Sequence, residues 1–162
     1  MRRSPEEIEA LVRELVGTRR DALEPSPDSL RALLALDVAG PLQFLNLLAY
    51  HETARYPGGH ALAASPSTGA DAYARYGGVA VRHVTARGGR LVLLNPVELQ
   101  LIGDADAWDQ VAIMLYPDVE AFVDMIRDPD YRAAWVHRDA GLARTRVYVT
   151  RPLLPEPGSA AA

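Results

Sequence analysis

Apolar residues recur at helical spacing near the start of the chain. Ile8, Leu11, Val12, Leu15 and Val16 form one stripe that ends near Gly17. Ser4, with Pro5 behind it and Glu7 three residues on, supplies an N-cap and a capping-box partner for that helix. A second cap, Ser26 to Ser29 with Pro27, opens a short helix through Leu30, Leu33, Leu34 and Leu36 that closes between Asp37 and Gly40. Residues 1–40 thus read as a helical N-terminal extension.

From Pro41 the period changes. Residues 42–50 (LQFLNLLAY) are nearly continuously apolar, as a strand covered on both faces should be, and only Asn46 interrupts the run. Residues 51–68 carry Pro57-Gly58-Gly59 and Ser65-Pro66-Ser67 and read as a loop, long for a compact domain and therefore a candidate functional segment. Thr68 starts a helix with Tyr73, Tyr76, Gly77, Ala80, His83 and Val84 on its inner stripe, stopped by Gly88 and Gly89. Residues 90–102 form a strand broken by Pro96, and residues 108–116 form the next one. Pro117-Asp118 opens a helix with Ala121, Phe122, Met125 and Ile126 inside. A second segment restarts at Asp128-Pro129 and runs through Ala134 and Trp135. Residues 144–150 make the last strand. A Pro-, Gly- and Ala-rich tail over residues 153–162 is expected to be disordered.

Strand, helix, strand, strand, helix, strand is the split βαβ order of the ferredoxin-like fold, an α+β class, here spanning residues 41–152. Two helices cover one face of its four-stranded antiparallel sheet, which leaves the other face in need of a cover. A second copy related by two-fold symmetry, forming a dimeric α+β barrel, is the favoured cover, and the N-terminal helices are the competing one.

Composition narrows the function classes. The chain has no cysteine, which removes disulfides, thiolate metal sites and a cysteine nucleophile. A net charge of −4 supplies no basic field for nucleic acid. There is no secretory apolar run and no membrane-length apolar stretch, so a cytoplasmic protein without a membrane partner is expected. Phosphate-binding glycine loops and a Gly-x-Ser-x-Gly elbow are both missing.

Several short segments carry a resemblance. Asn46-Leu47-Leu48, the Ala72-Tyr73-Ala74-Arg75-Tyr76-Gly77 helix, Gly88-Gly89-Arg90, Trp108-Asp109, Tyr116-Pro117 with Phe122, Asp128-Pro129-Asp130-Tyr131 and His137-Arg138 occur in an order and spacing that resemble the domain of unknown function 1330 family. The resemblance spans roughly residues 41–152. It implies the dimeric α+β barrel superfamily, which also holds cofactor-free monooxygenases, polyketide cyclases and muconolactone-type isomerases, but it implies no particular reaction. The first forty residues and the length of the 51–68 loop depart from the minimal family pattern.

Candidate site residues follow from polar groups set among apolar ones. Asn46 either bonds a neighbouring backbone group or presents its amide to a cavity, on the same strand face as Phe44, Leu48 and Tyr50. His83, with Tyr76 and Tyr73 at helical spacing, is either a general base or a half-exposed residue near a helix C-terminus. His137 and Arg138 offer a proton carrier and a clamp for a carboxylate or enolate, or else a cluster tying the helix to Asp128 or Asp130. Tyr148 faces either the cavity or the dimer seam. His51, His60 and Glu52 are metal-type ligands without a fixed helical spacing, and no metal site is assigned to them. The expected function is proton transfer on an apolar, carbonyl-bearing small molecule without a cofactor, of cyclase, isomerase or monooxygenase type. The alternatives are a binding module for a hydrophobic metabolite and protein docking through the first helix.

Overall fold

The computed structural model describes residues 3–16, 23–103 and 107–153. Helices α1 (Pro5–Leu15) and α2 (Pro27–Leu34) come first, each started by a serine side chain that accepts a backbone N–H. Then follow β1 (Leu42–Tyr50), α3 (Gly69–Ala86), β2 (Arg90–Pro96), β3 (Gln110–Tyr116), α4 (Val119–Arg127), α5 (Pro129–Ala133), α6 (Trp135–Gly141) and β4 (Leu142–Thr150). The strands form one antiparallel sheet in the order β2-β3-β1-β4, which is the ferredoxin-like arrangement.

Strand alternation divides the sheet into two unlike faces. Phe44, Asn46 and Leu48 of β1 stand level with Met114, Ala112 and Gln110 of β3 and with Val149, Val147 and Thr145 of β4. That face looks at the helices: Phe44 meets Phe122 of α4 with ring centroids 4.8 Å apart, and Tyr50 meets Tyr73 of α3 at 5.4 Å. On the other face Leu45, Leu47, Val111 and Ile113 remain half-exposed, and Tyr148 is 52% exposed.

The N-terminal helices join the helical face. Val12, Leu15, Leu30 and Leu34 are buried in the same core as Phe44, Val119 and Val123. Arg127 of α4 donates to both carboxylate oxygens of Glu14 at 2.6 Å, and Arg3 pairs with Glu120. The apolar stripe of α1 is therefore spent on its own domain, and it does not cover the far side of the sheet.

Three boundaries differ from the sequence reading. Strand β2 stops at Pro96, and Leu99, Leu101 and Ile102 beyond it are 69%, 85% and 89% exposed. Strand β3 begins at Gln110; Asp109 just before it still donates its N–H to the Leu48 carbonyl at 2.8 Å, and its carboxylate accepts the Tyr50 N–H at 2.7 Å. Residues 135–141 form α6, so His137, Arg138 and Asp139 stand on a helix and not in a connection before the last strand. Gly17, the turn residues 104–106 and most of the expected tail lie outside the described residues. No described helix is long and apolar enough to cross a membrane.

Helices α3 and α6 touch through backbone. A Cβ on Gly69 would meet the Gly141 carbonyl oxygen at 2.6 Å, and one on Gly141 would meet the Gly69 oxygen at 2.5 Å. Real Cβ atoms do not approach that closely, so both positions require glycine for closeness and not for an unusual φ.

Candidate functional site

Between the helical face of the sheet and the helices lies a cavity of about 1120 Å³. Its floor is the sheet, from Phe44 and Met114 at one end to Tyr50, Gln110 and Thr145 at the other. Helix α3 contributes Tyr73, Tyr76 and Ala80, while Leu15, Leu30 and Leu33 of the N-terminal helices close the opposite wall. Arg138, Asp139 and Trp135 reach it from the α6 segment, and Tyr131 from α5.

Most polar groups on the wall are already engaged. The Tyr50 hydroxyl donates to Gln110 Oε1 at 2.5 Å, and the hydroxyls of Tyr76 and Tyr131 lie 2.5 Å apart. Thr145 Oγ1 donates to the Leu47 carbonyl at 3.0 Å. Asn46 Nδ2 donates to the Phe44 carbonyl at 2.8 Å, the structural role weighed for it, while the residue also lines the cavity. Tyr73 packs between Tyr50 and Tyr76, and its hydroxyl has no hydrogen-bond partner among the described residues. Burial raises the pKa of Tyr50, Tyr73 and Tyr131, so each presents a neutral hydroxyl. Arg138 donates through Nη2 to the Leu23 carbonyl and lies 3.5 Å from Asp139 Oδ1 through Nη1. A guanidinium has five N–H donors, and these contacts leave others available.

The sequence candidates divide. Asn46, Tyr50, Tyr73, Tyr76 and Arg138 meet on the cavity wall. His83, His137 and Tyr148 do not. His83 was placed on the inner stripe, but α3 turns Ala80 and Val84 inward and leaves His83 beside it. There its Nδ1 lies 3.3 Å from Asp128 and 3.2 Å from the Arg87 guanidinium. Arg87 holds Asp128 as well, so the tie to Asp128 belongs to α3 and not to the 137–138 pair. Tyr148 is level with Leu45 on the opposite sheet face.

His137 belongs to a separate cluster with the 51–68 loop. Its Nδ1 shares a hydrogen bond of 2.9 Å with the Tyr56 hydroxyl, Tyr56 stacks on His60 with centroids 4.7 Å apart, and Arg75 donates to the Tyr56 oxygen at 3.4 Å. Burial first, then His60 and Arg75, lower the His137 pKa. A lowered pKa favours neutral imidazole, the form whose Nδ1 can accept the tyrosine proton. Among the described residues no three His, Asp or Glu side chains gather to hold a metal.

Sequence reasoning missed Gln110, Tyr131, Trp135 and Asp139 as wall residues. Gln110 was legible in the alternation with Ala112 and Met114. Asp139 required the phase of α6, which was not recognised. The Tyr56 and His60 pairing comes from loop geometry, which no periodicity signals.

Comparison with known proteins agrees with this architecture. The model of a domain of unknown function (DUF1330) matches residues 59–151. A protein of unknown function from Rhodopseudomonas palustris has a crystal structure with a TM-score of 0.72 and 38% identity, covering 84% of this chain and 100% of that one. A crystal structure of the methylated form gives 0.72 and 39%, covering 83% and 96%. A dabb family protein with a ferredoxin-like fold from Mesorhizobium loti is more distant, with a TM-score of 0.38 and 17% identity over 70% of this chain and 98% of that one. No curated protein matches. With more than half its length under the family model, and relatives of this identity spanning most of the rest, the chain belongs to the domain of unknown function 1330 family.

Proposed function

We propose that the cavity takes up a small, largely apolar, carbonyl-bearing molecule and moves a proton on it without a bound cofactor. The observation that carries this is the wall itself: a largely apolar enclosure of about 1120 Å³ in which the Arg138 guanidinium, the adjoining Asp139 carboxylate and the Tyr73 phenol, which has no hydrogen-bond partner among the described residues, face the same space. Arg138 and Tyr73 hold the substrate oxygen and stabilise the negative charge that develops there. Asp139, beside Arg138, takes a proton from the carbon next to the carbonyl and returns it elsewhere on the molecule, as an isomerisation or cyclisation requires. The proton role first assigned to His137 and His83 passes to Asp139, because both histidines are bonded to other groups away from the wall.

The chemistry is tested by incubating the protein with alkyl and aryl ketones in D₂O and following deuterium at the α-carbon by NMR. Exchange above the buffer rate is expected for the native protein, lost in Asp139→Asn and kept in His137→Ala. A ketone that binds without exchange would remove the catalytic half and leave a binding module, the reading favoured by the engaged state of most wall hydroxyls.

The half-exposed Leu45, Leu47, Val111 and Ile113 support a homodimer formed face to face through the sheet. The cavity lies on the other face, so each copy would keep its own site.

A further inference from the structure

The cavity is not uniform along its length. At the level of Leu48 its floor carries Gln110 and Thr145, with Tyr50, Tyr73, Arg138 and Asp139 around them. Four residues further along the strands, at Phe44, the floor is Met114 and Val149, and Phe122, Ile126 and Leu30 enclose it. Every hydrogen-bonding side chain assigned to substrate lies at the first end. Among the described residues the hydroxyls nearest the second end are already engaged: Tyr116 is turned to Met125 Sδ at 3.8 Å, and Ser29, beside Leu30, lies 2.9 Å from the Ser26 hydroxyl. At the polar end Arg138 stands against Asp139, and the carboxylates of Glu24 and Asp71 also line the cavity.

We infer that the molecule held there is an amphiphile, with one oxygenated head at the Tyr73 and Arg138 end and an unbranched or weakly branched apolar tail running to Phe44 and Met114. The inference rests on the cavity being the functional site and adds the shape of what occupies it. The two levels are four residues of strand apart, about 13 Å at the usual rise, which is the length of an extended chain of roughly ten carbons. An uncharged carbonyl or hydroxyl bonds Tyr73 and the free guanidinium donors without breaking the pair.

The test is calorimetric titration of the full-length protein with 2-alkanones from pentanone to undecanone. Affinity is expected to rise about fourfold per added methylene, the usual gain for burying one, until the tail end is filled. Val149→Trp, at an edge position 39% exposed and so tolerant of a larger side chain, should bring the plateau to a shorter ketone. Equal affinity across the ketone lengths would overturn the inference while leaving the cavity as a binding site. Failure of every compound to bind would overturn both.

Discussion

The hydroxyls of Tyr76 and Tyr131 lie 2.5 Å apart on the cavity wall and tie α3 to α5 across 55 residues of chain. Both side chains are buried, at 9% and 5% exposure, so each hydroxyl depends on the other. Tyr131→Phe or Tyr76→Phe should each cost about 1–2 kcal/mol, because one buried hydroxyl is then left alone. The double variant should cost less than the two together, since no orphan remains. Urea denaturation of all four proteins measures this coupling; strict additivity would show that the two hydroxyls do not act as a pair.

The meeting of Gly69 and Gly141 leaves no room for a methyl group. Gly69→Ala or Gly141→Ala should destabilise by about 1–3 kcal/mol or more, as overpacking does. Gly78→Ala, within the same α3 with only the Arg82 guanidinium 4.0 Å away, should instead stabilise by about 0.5–1 kcal/mol through helix propensity. Opposite shifts of melting temperature in the two kinds of variant are the expected result.

Leu34 is 1% exposed and belongs to the core that α1 and α2 share with the sheet. Leu34→Ala should cost about 2–5 kcal/mol. Removing residues 1–40 should lower the melting temperature further, because it also strips Val12, Leu15 and Leu30 from that core. An unchanged melting temperature after truncation would mean that these helices do not contribute to the fold's stability.

His137 has a native pKa below its ordinary value of 6.5, through burial and the nearby His60 and Arg75. Below 6.5 the unfolded chain therefore takes up a proton that the native site resists, so stability is full above that pH and falls as the pH drops towards the lowered native value. His51, also lowered by burial, contributes in the same sense. The decline in stability between about pH 6.5 and 5 should be shallower in His137→Gln than in the native protein. An identical slope would show that His137 is not held neutral by its surroundings.

Ile113 and Leu47 stand on the uncovered sheet face, level with each other's neighbours across β1 and β3. If two copies cover these faces mutually, the native protein sediments as a dimer, and Ile113→Lys with Leu47→Lys sediments as a folded monomer, since a charge buried in such an interface has no partner. A native monomer at micromolar concentration would exclude the arrangement.

Much of this architecture could be read before folding, and the reasons are local. The caps at Ser4, Ser26 and Thr68 begin helices where expected because each side chain satisfies an otherwise orphaned backbone N–H. Strand β1 declared itself by its apolar run. The failures are places where long-range contacts decide. Residues 97–102 have the composition of a strand, yet the pairing of β2 with β3 ends at Gln110, followed by one further bond from the Val97 N–H to the Asp109 carbonyl at 2.9 Å. The 135–141 segment, with Trp135, Val136 and Ala140 around three polar residues, is too short to show a helical stripe and is set as a helix by packing on α3. Without that helix's phase the roles of His137, Arg138 and Asp139 could not be separated, and the histidine looked the better candidate when the carboxylate was the residue facing the cavity.

The bare backbone contact of Gly69 with Gly141 gives the two ends of the cavity different mechanical character. Tyr73 follows Gly69 by one helical turn and Arg138 precedes Gly141 by one, so the groups that would grip a head are anchored to a joint with no side chain that can rotate out of the way. The wall made by α1 and α2 is joined to the rest by apolar side-chain packing and by ion pairs at the surface, such as Glu14 with Arg127. Relatives that keep the two glycines but vary Leu15, Leu30 and Leu33 would therefore share one kind of head group and differ in the length of tail they accept.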